Sequence, residues 1–346
     1  LLAPRQIPKG KTITTITHLV DDTTPGGVMR VINHIQSDAG LTHLGQHRVV
    51  LIPKTGRGPT RIDGDVLVSH LAMSWRRLPW LIQLRATHAA TPMVHVEHSY
   101  TAGFLRHNVP HPARFLTMLR VAFSLFDRVV PVSEAQADWG LDKGLADPSQ
   151  IAVIPSAVDV SPFAGLAPVT GPVKVIGAFG RLEPQKGFDV LIRAMRASPR
   201  QDLQLHIFGQ GGERAALTSL AGGDPRICFR GFAAQPVEAM ASVDVVAMPS
   251  RWEAYGLVAL EARAAGRMML AAPVDGLKDH IAAGARPVRD NTVRGWSEAL
   301  TGLDRPDVVG LNRARADAAL ASVRFEQSWT ALFEDLLANT ETAQAA

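Results

Sequence analysis

The sequence contains one cysteine, Cys228, among its 346 residues, so no disulfide can form within the chain. Such cysteine usage is typical of proteins from a reducing compartment. No run of about 18 uninterrupted apolar residues occurs, which predicts that no helix spans a membrane. The chain has only two tyrosines, no zinc-ligand spacing and no basic helix interleaved with aromatic residues. These absences argue against a nucleic-acid-binding module, which the basic pI alone suggests.

Three basic residues near the start of the sequence, Arg5, Lys9 and Lys11, have no apolar segment beside them. We therefore expect no signal peptide there. Because the first residue is not Met, we expect a trimmed or partial chain. The expected location is the cytoplasm, and a peripheral position on the inner face of the membrane is a further hypothesis.

The length of 346 residues predicts about two domains, and the hydrophobic fraction of 46% is enough to form buried cores. The positive charge lies in the first half: residues 1–165 hold 16 Lys and Arg against 12 Asp and Glu, and residues 66–126 hold six arginines against Glu97 alone. This indicates an anionic partner, either a membrane surface or a phosphorylated acceptor. The segment 72–90 is interpreted as a helix that covers a sheet or as an interfacial helix on an anionic membrane.

Strand and helix patterns alternate along the chain, which predicts an α/β fold with parallel sheets. The expected strands lie at 11–20, 47–53, 65–71, 91–104, 127–133, 173–179, 227–233 and 243–248, with two more opening the segments 203–217 and 268–281.

The most informative stretch is 243–266. Val243–Met248 is apolar without polar alternation, which predicts a buried strand. A helix is expected from about Tyr255-Gly256 to Ala265. A helix that begins at the carboxyl end of a parallel strand presents free backbone N–H groups and the positive end of its dipole. This stretch is therefore predicted to bind an anion.

Two carboxylates accompany the predicted anion site. Glu253 falls in the turn, and Glu261, eight residues later, lies on the helix and leans back toward its start. Since a carboxylate repels phosphate, we expect both to accept hydrogen bonds from hydroxyl groups. A ligand with a phosphate between two polyols has this chemistry, and a nucleotide sugar is such a ligand. The alternative is that both acids are ordinary exposed residues beside a helix.

In this stretch the sequence resembles the retaining nucleotide-sugar glycosyltransferases of family 4, which have the GT-B fold. The resemblance rests on Pro249-Ser250, Glu253, Gly256-Leu257 and Glu261. The resemblance covers most of the chain and is strongest over 173–282. Within the family, the chain resembles bacterial enzymes of polysaccharide and lipopolysaccharide synthesis.

A second motif of the family, Gly-Arg-Leu followed by Lys-Gly, is complete in Gly180, Arg181, Leu182, Lys186 and Gly187. Two cations at the carboxyl end of a strand suit a diphosphate, because arginine offers a planar fork and lysine a mobile point charge. The alternative is a solvated surface loop.

The resemblance implies two Rossmann-like domains that face each other across a cleft, with the donor held mostly by the second. It places an acceptor domain at 1–165 and a donor domain at 172–322. A C-terminal helix at about 325–340 is expected to pack back on the first domain.

The resemblance also implies a histidine near the transferred sugar, after the strand predicted at 91–104. The matching residue is His98, with His95 and Glu97 as alternatives, and a structural histidine that caps the strand is the competing interpretation. The implied donor-binding residues are Gly26, Gly27, Gly180, Gly209, Phe232, Tyr255, Gly256, Leu257 and Glu261.

One segment departs from the family pattern. The family often has Gly-Gly and a glutamate where this chain has Asp275-Gly276 and Asp279. This departure leaves the recognition of the sugar open.

The implied activity is transfer of a hexose from a nucleoside diphosphate sugar to an acceptor hydroxyl, with retention of configuration and with neither a bound metal nor another cofactor. Arg181 and Lys186, with the helix amides, would neutralise the charge that grows on the leaving phosphate. Glu253 would hold sugar hydroxyls and Glu261 the ribose. Because His98 and the glycine pair are assigned to the other domain, catalysis is expected to need closure.

The expected partners are a nucleotide-sugar donor, a saccharide or lipid-linked acceptor and an anionic membrane surface, without nucleic acid. Two alternatives share the fold. A nucleotide-sugar epimerase would convert a donor without an acceptor, and a catalytically silent partner subunit would bind the donor without releasing nucleotide.

Overall fold

The structure is a computed structural model that describes residues 14–55 and 57–345. The segment at which no signal peptide is expected, and the first residues of the strand predicted at 11–20, lie outside the described residues. Among the helices that are described, none is long and apolar enough to cross a membrane.

The first half of the chain builds a five-stranded sheet of order β2-β1-β3-β4-β5. Its neighbouring strands pair in parallel from β2 through β4. The strands are β1 (Thr15–Val20), β2 (Gln46–Leu51), β3 (Val66–Ser69), β4 (Met93–Glu97) and β5 (Arg128–Pro131). The helices are α1 (Gly27–Ser37), α2 (Ala39–Leu44), α3 (Leu78–Thr87), α4 (Ala102–Asn108), α5 (Pro112–Phe123), α6 (Glu134–Asp142) and α7 (Ser161–Ala164), with a 3-10 turn at Pro148–Gln150.

The second half builds a six-stranded parallel sheet of order β11-β10-β9-β6-β7-β8. The strands are β6 (Val175–Phe179), β7 (Gln204–Phe208), β8 (Ile227–Gly231), β9 (Val245–Met248), β10 (Met268–Ala271) and β11 (Arg286–Pro287). The helices are α8 (Phe188–Ala197), α9 (Arg214–Ala221), α10 (Pro236–Ala241), α11 (Leu257–Ala264), α12 (Leu277–Ala282), α13 (Val293–Thr301), α14 (Val308–Ala319) and α15 (Ala321–Ala345), with a 3-10 turn at Pro184–Lys186.

The strand order of the second sheet reverses between β6 and β9. The chain runs outward from β6 to β8, returns to the middle, and then runs outward again from β9 to β11. In open parallel sheets, the loops at the carboxyl ends of the strands diverge at such a switch point and leave a crevice for a ligand. The strand order therefore predicts that a ligand binds at the loops that follow β6 and β9.

The chain divides into two compact units. The first comprises the described chain up to Val96, Met118–Val130 and the chain from Glu326 on; the second comprises Glu97–Thr117 and Pro131–Phe325. The domain ranges of 1–165 and 172–322 stay a prediction. The C-terminal helix predicted at 325–340 is part of α15, which begins earlier, at Ala321.

The strand predicted at 91–104 was wrong in its second half. β4 ends at Glu97, and residues from Ala102 form helix α4. The Thr101 hydroxyl accepts a hydrogen bond from the Phe104 N–H at 3.1 Å, which is the contact of a helix N-cap. Helix capping therefore ends the extended segment that its apolar and β-branched residues favoured.

Helix α3 was predicted either to cover the sheet or to rest on a membrane. It buries Leu78, Trp80, Leu81 and Leu84, as a helix that covers a sheet does. Exposed apolar side chains remain at Trp75 and Ile82. Two arginines of this segment form ion pairs within the protein: Arg77 with Asp21 at 3.0 Å, and Arg85 with Asp127 at 2.9 Å.

Three histidines of the first sheet form a buried hydrogen-bonded chain. His18 Nδ1 lies 2.9 Å from His70 Nε2, and His18 Nε2 lies 3.0 Å from His47 Nδ1. His47 Nε2 lies 3.1 Å from the carbonyl oxygen of Leu41, which can only accept. In neutral rings this carbonyl determines every tautomer: His47 donates through Nε2, and His18 donates to His47 through its own Nε2. Burial, with the neighbouring His47, lowers the pKa of His18 to about 3.

We expect this burial to make the protein less stable in acid. The folded-state pKa of His18 lies below the ordinary value of 6.5, so the unfolded chain takes up the proton first. The contribution of His18 to the stability of the folded protein is fully present above pH 6.5 and is lost as the pH falls toward 3. The free energy of unfolding should fall by about 2 kcal/mol between pH 6.5 and 5 from His18 alone.

Urea unfolding at the two pH values measures this effect. His18→Gln should reduce the pH-dependent loss by that amount, even if it lowers stability at both pH values. The same substitution at His111, which is exposed, serves as the control. Equal pH dependence in wild type and His18→Gln would contradict the prediction.

Candidate functional site

The loop after β6 carries the two candidate phosphate ligands. Arg181 is exposed and follows Gly180, and Lys186 ends the 3-10 turn before α8. Gly187 then adopts a left-handed backbone with φ 65°. A Cβ atom at Gly187 would lie 2.1 Å from the carbonyl oxygen of Pro249, which directly follows β9. Glycine is therefore required here, because the two loops of the switch point contact each other through their backbones.

Lys186 and Glu253 meet across this contact. Lys186 Nζ lies 2.5 Å from Glu253 Oε2, and the two side chains are only 16% and 12% exposed. The hydroxyl of Ser250 donates to the same carboxylate oxygen at 3.2 Å. The sequence predicted both residues at the site but did not predict that they form an ion pair. The pair places one cation and one anion side by side at the switch point.

Helix α11 begins directly after this pair. Gly256, its N-cap, has φ 102°, a value that residues with a Cβ rarely adopt. Leu257 is the first helical residue, so the free N–H groups of the first turn follow Glu253 closely in the chain. Glu261 lies within the helix and is buried. Its carboxylate is therefore not the ordinary exposed acid of the alternative interpretation.

Tyr255, a predicted donor ligand, is largely buried. Its ring centroid lies 4.6 Å from that of His280, and burial raises the pKa of its hydroxyl to about 12. The side chain is therefore part of the packing between the loop and α12. A contact of Tyr255 with a donor, as predicted, would therefore be made by its backbone atoms.

The loop after β7 packs against the loop after β6. Gly209 has φ 146°, and a Cβ atom there would lie 1.8 Å from the carbonyl oxygen of Gly180. Below these glycines, the rings of Phe179 and Phe208 stack with centroids 4.6 Å apart. Phe232, which follows β8, is 69% exposed. The predicted donor residues Gly180 and Gly209 thus lie together.

The segment after β4 holds the three candidates for the residue near the sugar. His95 is buried in the strand and its ring lies 5.2 Å from those of Phe123 and Phe126, as in a core histidine. Glu97 accepts hydrogen bonds from the backbone N–H groups of the next turn at 2.7 and 2.9 Å, so it stabilises that turn. His98 is half-buried and belongs to the same compact unit as Glu253. Its assignment stays a prediction.

Gly26 and Gly27 precede and begin helix α1 and are exposed. Gly26 has an extended backbone, and a Cβ atom there would come no closer than 3.8 Å to its neighbours. Neither backbone strain nor packing requires glycine at this position. Close approach of a ligand, as the resemblance implies, remains the hypothesis for the pair.

Asp275 is a site residue to which sequence reasoning assigned no role. It is buried and has φ 40°, a left-handed backbone. Its carboxylate accepts a hydrogen bond from Thr101 Oγ1 at 2.7 Å, one from the Gly103 N–H at 3.0 Å and one from the Glu253 N–H at 3.3 Å. The Asp-Gly dipeptide signalled a turn here, since aspartate tolerates a left-handed backbone. It gave no sign of the partners.

Asp279, four residues later, has a similar function at another helix. It accepts hydrogen bonds from the N–H groups of Glu134 at 2.7 Å and Ala135 at 3.2 Å, at the start of α6. Burial raises the pKa of this carboxyl group. The two acids that depart from the family pattern thus stabilise the first turns of α4 and α6.

The sequence has Asp-x-Asp spacing at Asp63 and Asp65, directly before β3. The Asp65 carboxylate accepts a hydrogen bond from the Thr15 N–H at 2.7 Å, and the Asp63 carbonyl accepts one from Thr17 Oγ1 at 2.7 Å. Both residues therefore hold β1 in place. In the described part of the chain, no three His, Cys, Asp or Glu side chains are grouped as metal ligands.

Comparison with known proteins indicates the class of protein. Residues 173–303, which hold the candidate phosphate loop and the ion pair, match the family Glycosyl transferases group 1. The chain is similar to the D-inositol 3-phosphate glycosyltransferases of Nocardia farcinica, with 32% identity over 74% of this chain and 62% of the relative, and of Actinosynnema mirum, with 29% identity over 79% and 71%.

The fold is that of a solved protein, HepE of Anabaena, whose structure was determined in complex with UDP. The TM-score is 0.70 at 19% sequence identity, over 93% of this chain and all of that one. Sucrose-phosphate synthase of Thermosynechococcus elongatus gives a TM-score of 0.64 at 17% identity, over 96% and 98%.

Residues 173–303 therefore belong to the group 1 glycosyl transferases, and the chain has the GT-B fold that its motifs predicted. It spans somewhat less than two thirds of the length of the first relatives it matches, 62% and 64%.

Proposed function

We propose that the protein transfers a hexose from a nucleoside diphosphate sugar to an acceptor hydroxyl with retention of configuration. The observation that carries this proposal is the Lys186–Glu253 ion pair, 2.5 Å long, at the switch point of the second sheet. It lies between a loop with a second cation, Arg181, and the start of helix α11. Cations and free amides suit a diphosphate, and a carboxylate suits the hydroxyl groups next to it.

In the proposed reaction, the bond between the anomeric carbon and the β-phosphate oxygen breaks. The acceptor oxygen forms the new bond on the same face, and its proton leaves with the departing phosphate. Arg181, Lys186 and the first amides of α11 stabilise the charge that develops on that phosphate, which lowers the barrier. Glu253 orients the hydroxyl groups of the sugar, and Glu261 orients the ribose. His98 contacts the sugar on the side opposite to Glu253.

The donor is proposed to be a UDP sugar. The support is indirect: HepE of Anabaena, which shares the fold, was solved with UDP and also with UDP-glucose. The acceptor is proposed to be a saccharide or lipid-linked, in bacterial surface polysaccharide or glycolipid assembly. The support for this part of the proposal is the basic first half. Arg106, Arg114 and Arg120 are exposed there.

Thermal-shift measurements with UDP-glucose, UDP-N-acetylglucosamine, GDP-mannose and ADP-glucose test the donor. A donor at 100 times its Kd stabilises the folded protein by about 2.7 kcal/mol, which raises the melting temperature measurably. The anomeric proton coupling of the product then tests retention. No shift with any of the four sugars would contradict the proposal.

Two other outcomes separate the alternatives. Conversion of the donor sugar without an acceptor would identify an epimerase. Binding of the donor without nucleotide release, with acceptor mixtures present, would identify a silent binding protein. Association with vesicles that contain anionic phospholipid, but not with neutral vesicles, is expected if the acceptor is lipid-linked.

A further inference from the structure

Asp275 has a left-handed backbone, which residues with a Cβ atom rarely adopt. Its φ is 40°, and it is the single non-glycine residue with positive φ among the described residues. The residue is only 9% exposed. A strained conformation persists where the surrounding contacts impose it, and such residues concentrate at functional sites.

The contacts of the carboxylate connect two segments that are far apart in sequence. Thr101 Oγ1 donates to Oδ2 at 2.7 Å and the Gly103 N–H donates to Oδ1 at 3.0 Å, both at the start of α4. The Glu253 N–H donates to Oδ2 at 3.3 Å. One carboxylate therefore holds the first turn of α4 and the backbone of Glu253 in one arrangement.

The residues around these hydrogen bonds are closely packed. A Cβ atom at Gly103 would lie 2.5 Å from Asp275 Oδ2 and 2.7 Å from the Trp252 Cβ atom. The Trp252 ring stacks on His107 with centroids 5.5 Å apart and meets Phe104 edge-on at 6.4 Å. The turn that carries Glu253 thus lies directly against α4.

We propose that Asp275 is a positioning residue that sets the placement of Glu253 relative to His98. His98 lies three residues before Thr101, in the short turn between β4 and α4, so the hydrogen bonds to Thr101 and Gly103 also restrain that turn. Asp275 acts through these segments and not by contact with the donor. The inference rests on the proposed function, in which Glu253 and His98 act on the same sugar.

The test compares variants that remove the carboxylate or one of its donors. Asp275→Gly keeps the left-handed backbone accessible and removes all three hydrogen bonds. Thr101→Val removes one donor together with the N-cap of α4, and Thr101→Ser retains both. Asp307→Ala removes a carboxylate that caps α14, where it accepts from the Val309 N–H at 3.1 Å, and is the control for the loss of a helix cap.

The measurements are kcat and KM for nucleotide release from the sugar that shifts the melting temperature most among UDP-glucose, UDP-N-acetylglucosamine, GDP-mannose and ADP-glucose. Isothermal titration calorimetry gives the affinity for the corresponding nucleoside diphosphate. Asp275→Gly is expected to lower kcat about 100-fold, the scale of a 1 Å displacement of a reacting group. Thr101→Val should lower kcat about 10-fold, whereas Thr101→Ser should keep the kcat of the wild type. The affinity for the nucleoside diphosphate should stay within about threefold of wild type in all variants.

Three results would overturn the positioning role. In the first, folded Asp275→Gly and Thr101→Val keep kcat within about threefold of wild type. In the second, affinity for the nucleoside diphosphate falls as much as kcat, which would indicate general disruption of the site. In the third, Asp307→Ala lowers kcat equally. A wild type that binds none of the four sugars would instead overturn the proposed function itself.

Discussion

Replacement of Lys186 with alanine is expected to lower turnover of the nucleotide sugar about 100-fold, the scale of losing one donor that stabilises developing charge. The ammonium lies 2.5 Å from Glu253 in a site that is largely shielded from water. Removing it takes a cation from the proposed phosphate site and leaves the Glu253 carboxylate without its ion-pair partner, and that carboxylate then repels the leaving phosphate. Arg181→Ala, which removes the second cation, is expected to lower turnover to a similar extent.

Two controls separate the loss of catalysis from a loss of folding. Lys174→Ala removes an exposed lysine at the amino end of β6, the strand whose carboxyl end leads to Lys186. This variant should retain full turnover. The double variant Lys186→Ala/Glu253→Ala removes both charges, so it should regain part of the melting temperature lost in Lys186→Ala, because no unpaired charge remains buried. It should not regain turnover. Near-full activity in both Lys186→Ala and Arg181→Ala would refute the assignment of the phosphate site.

Replacement of Gly209 with alanine is expected to destabilise the protein by about 3 kcal/mol, from a strained backbone and an overpacked contact together. The added Cβ atom would lie 1.8 Å from the Gly180 carbonyl oxygen, and the φ of 146° disfavours any residue but glycine. The loops after β6 and β7 would have to separate. Arg181, which directly follows Gly180, would then move with its loop.

Thermal unfolding measures this effect, and a fall in melting temperature of about 10 °C is expected at this size of destabilisation. Gly212→Ala in the same loop is the matched control, because a Cβ atom there would meet nothing within 4 Å. That variant should melt within about 2 °C of wild type. Gly209 serves only as an ordinary turn residue if both variants melt like wild type.

The local features of the site could be predicted from the sequence because each depends on neighbouring residues. Gly187 and Gly256 are motif residues in the sequence, and both have positive φ, which glycine adopts readily. The apolar run before Pro249 predicted β9, which is buried at every position. Alternation of such strands with amphipathic helices predicts two parallel sheets, since period and burial are encoded within a few residues.

The segment 91–104 shows where local pattern fails. Its apolar and β-branched residues favour a strand, and β4 does form over Met93–Glu97. Whether the chain continues extended depends on Thr101, whose side chain both caps α4 and donates to Asp275. The second partner is 174 residues away, so its influence cannot be read from the window around Thr101.

The sequence by itself determined the family, the residue types at the candidate phosphate site and the backbone turns that present them. The tertiary structure alone decided the partners: Lys186 with Glu253, 67 residues apart, and Asp275 with the start of α4. The physical reason is that periodicity and turn chemistry report the environment of each residue, whereas a pairing depends on which strands lie side by side. The neighbouring strands β9 and β6, for example, bring the loops that carry Glu253 and Lys186 to the same end of the sheet.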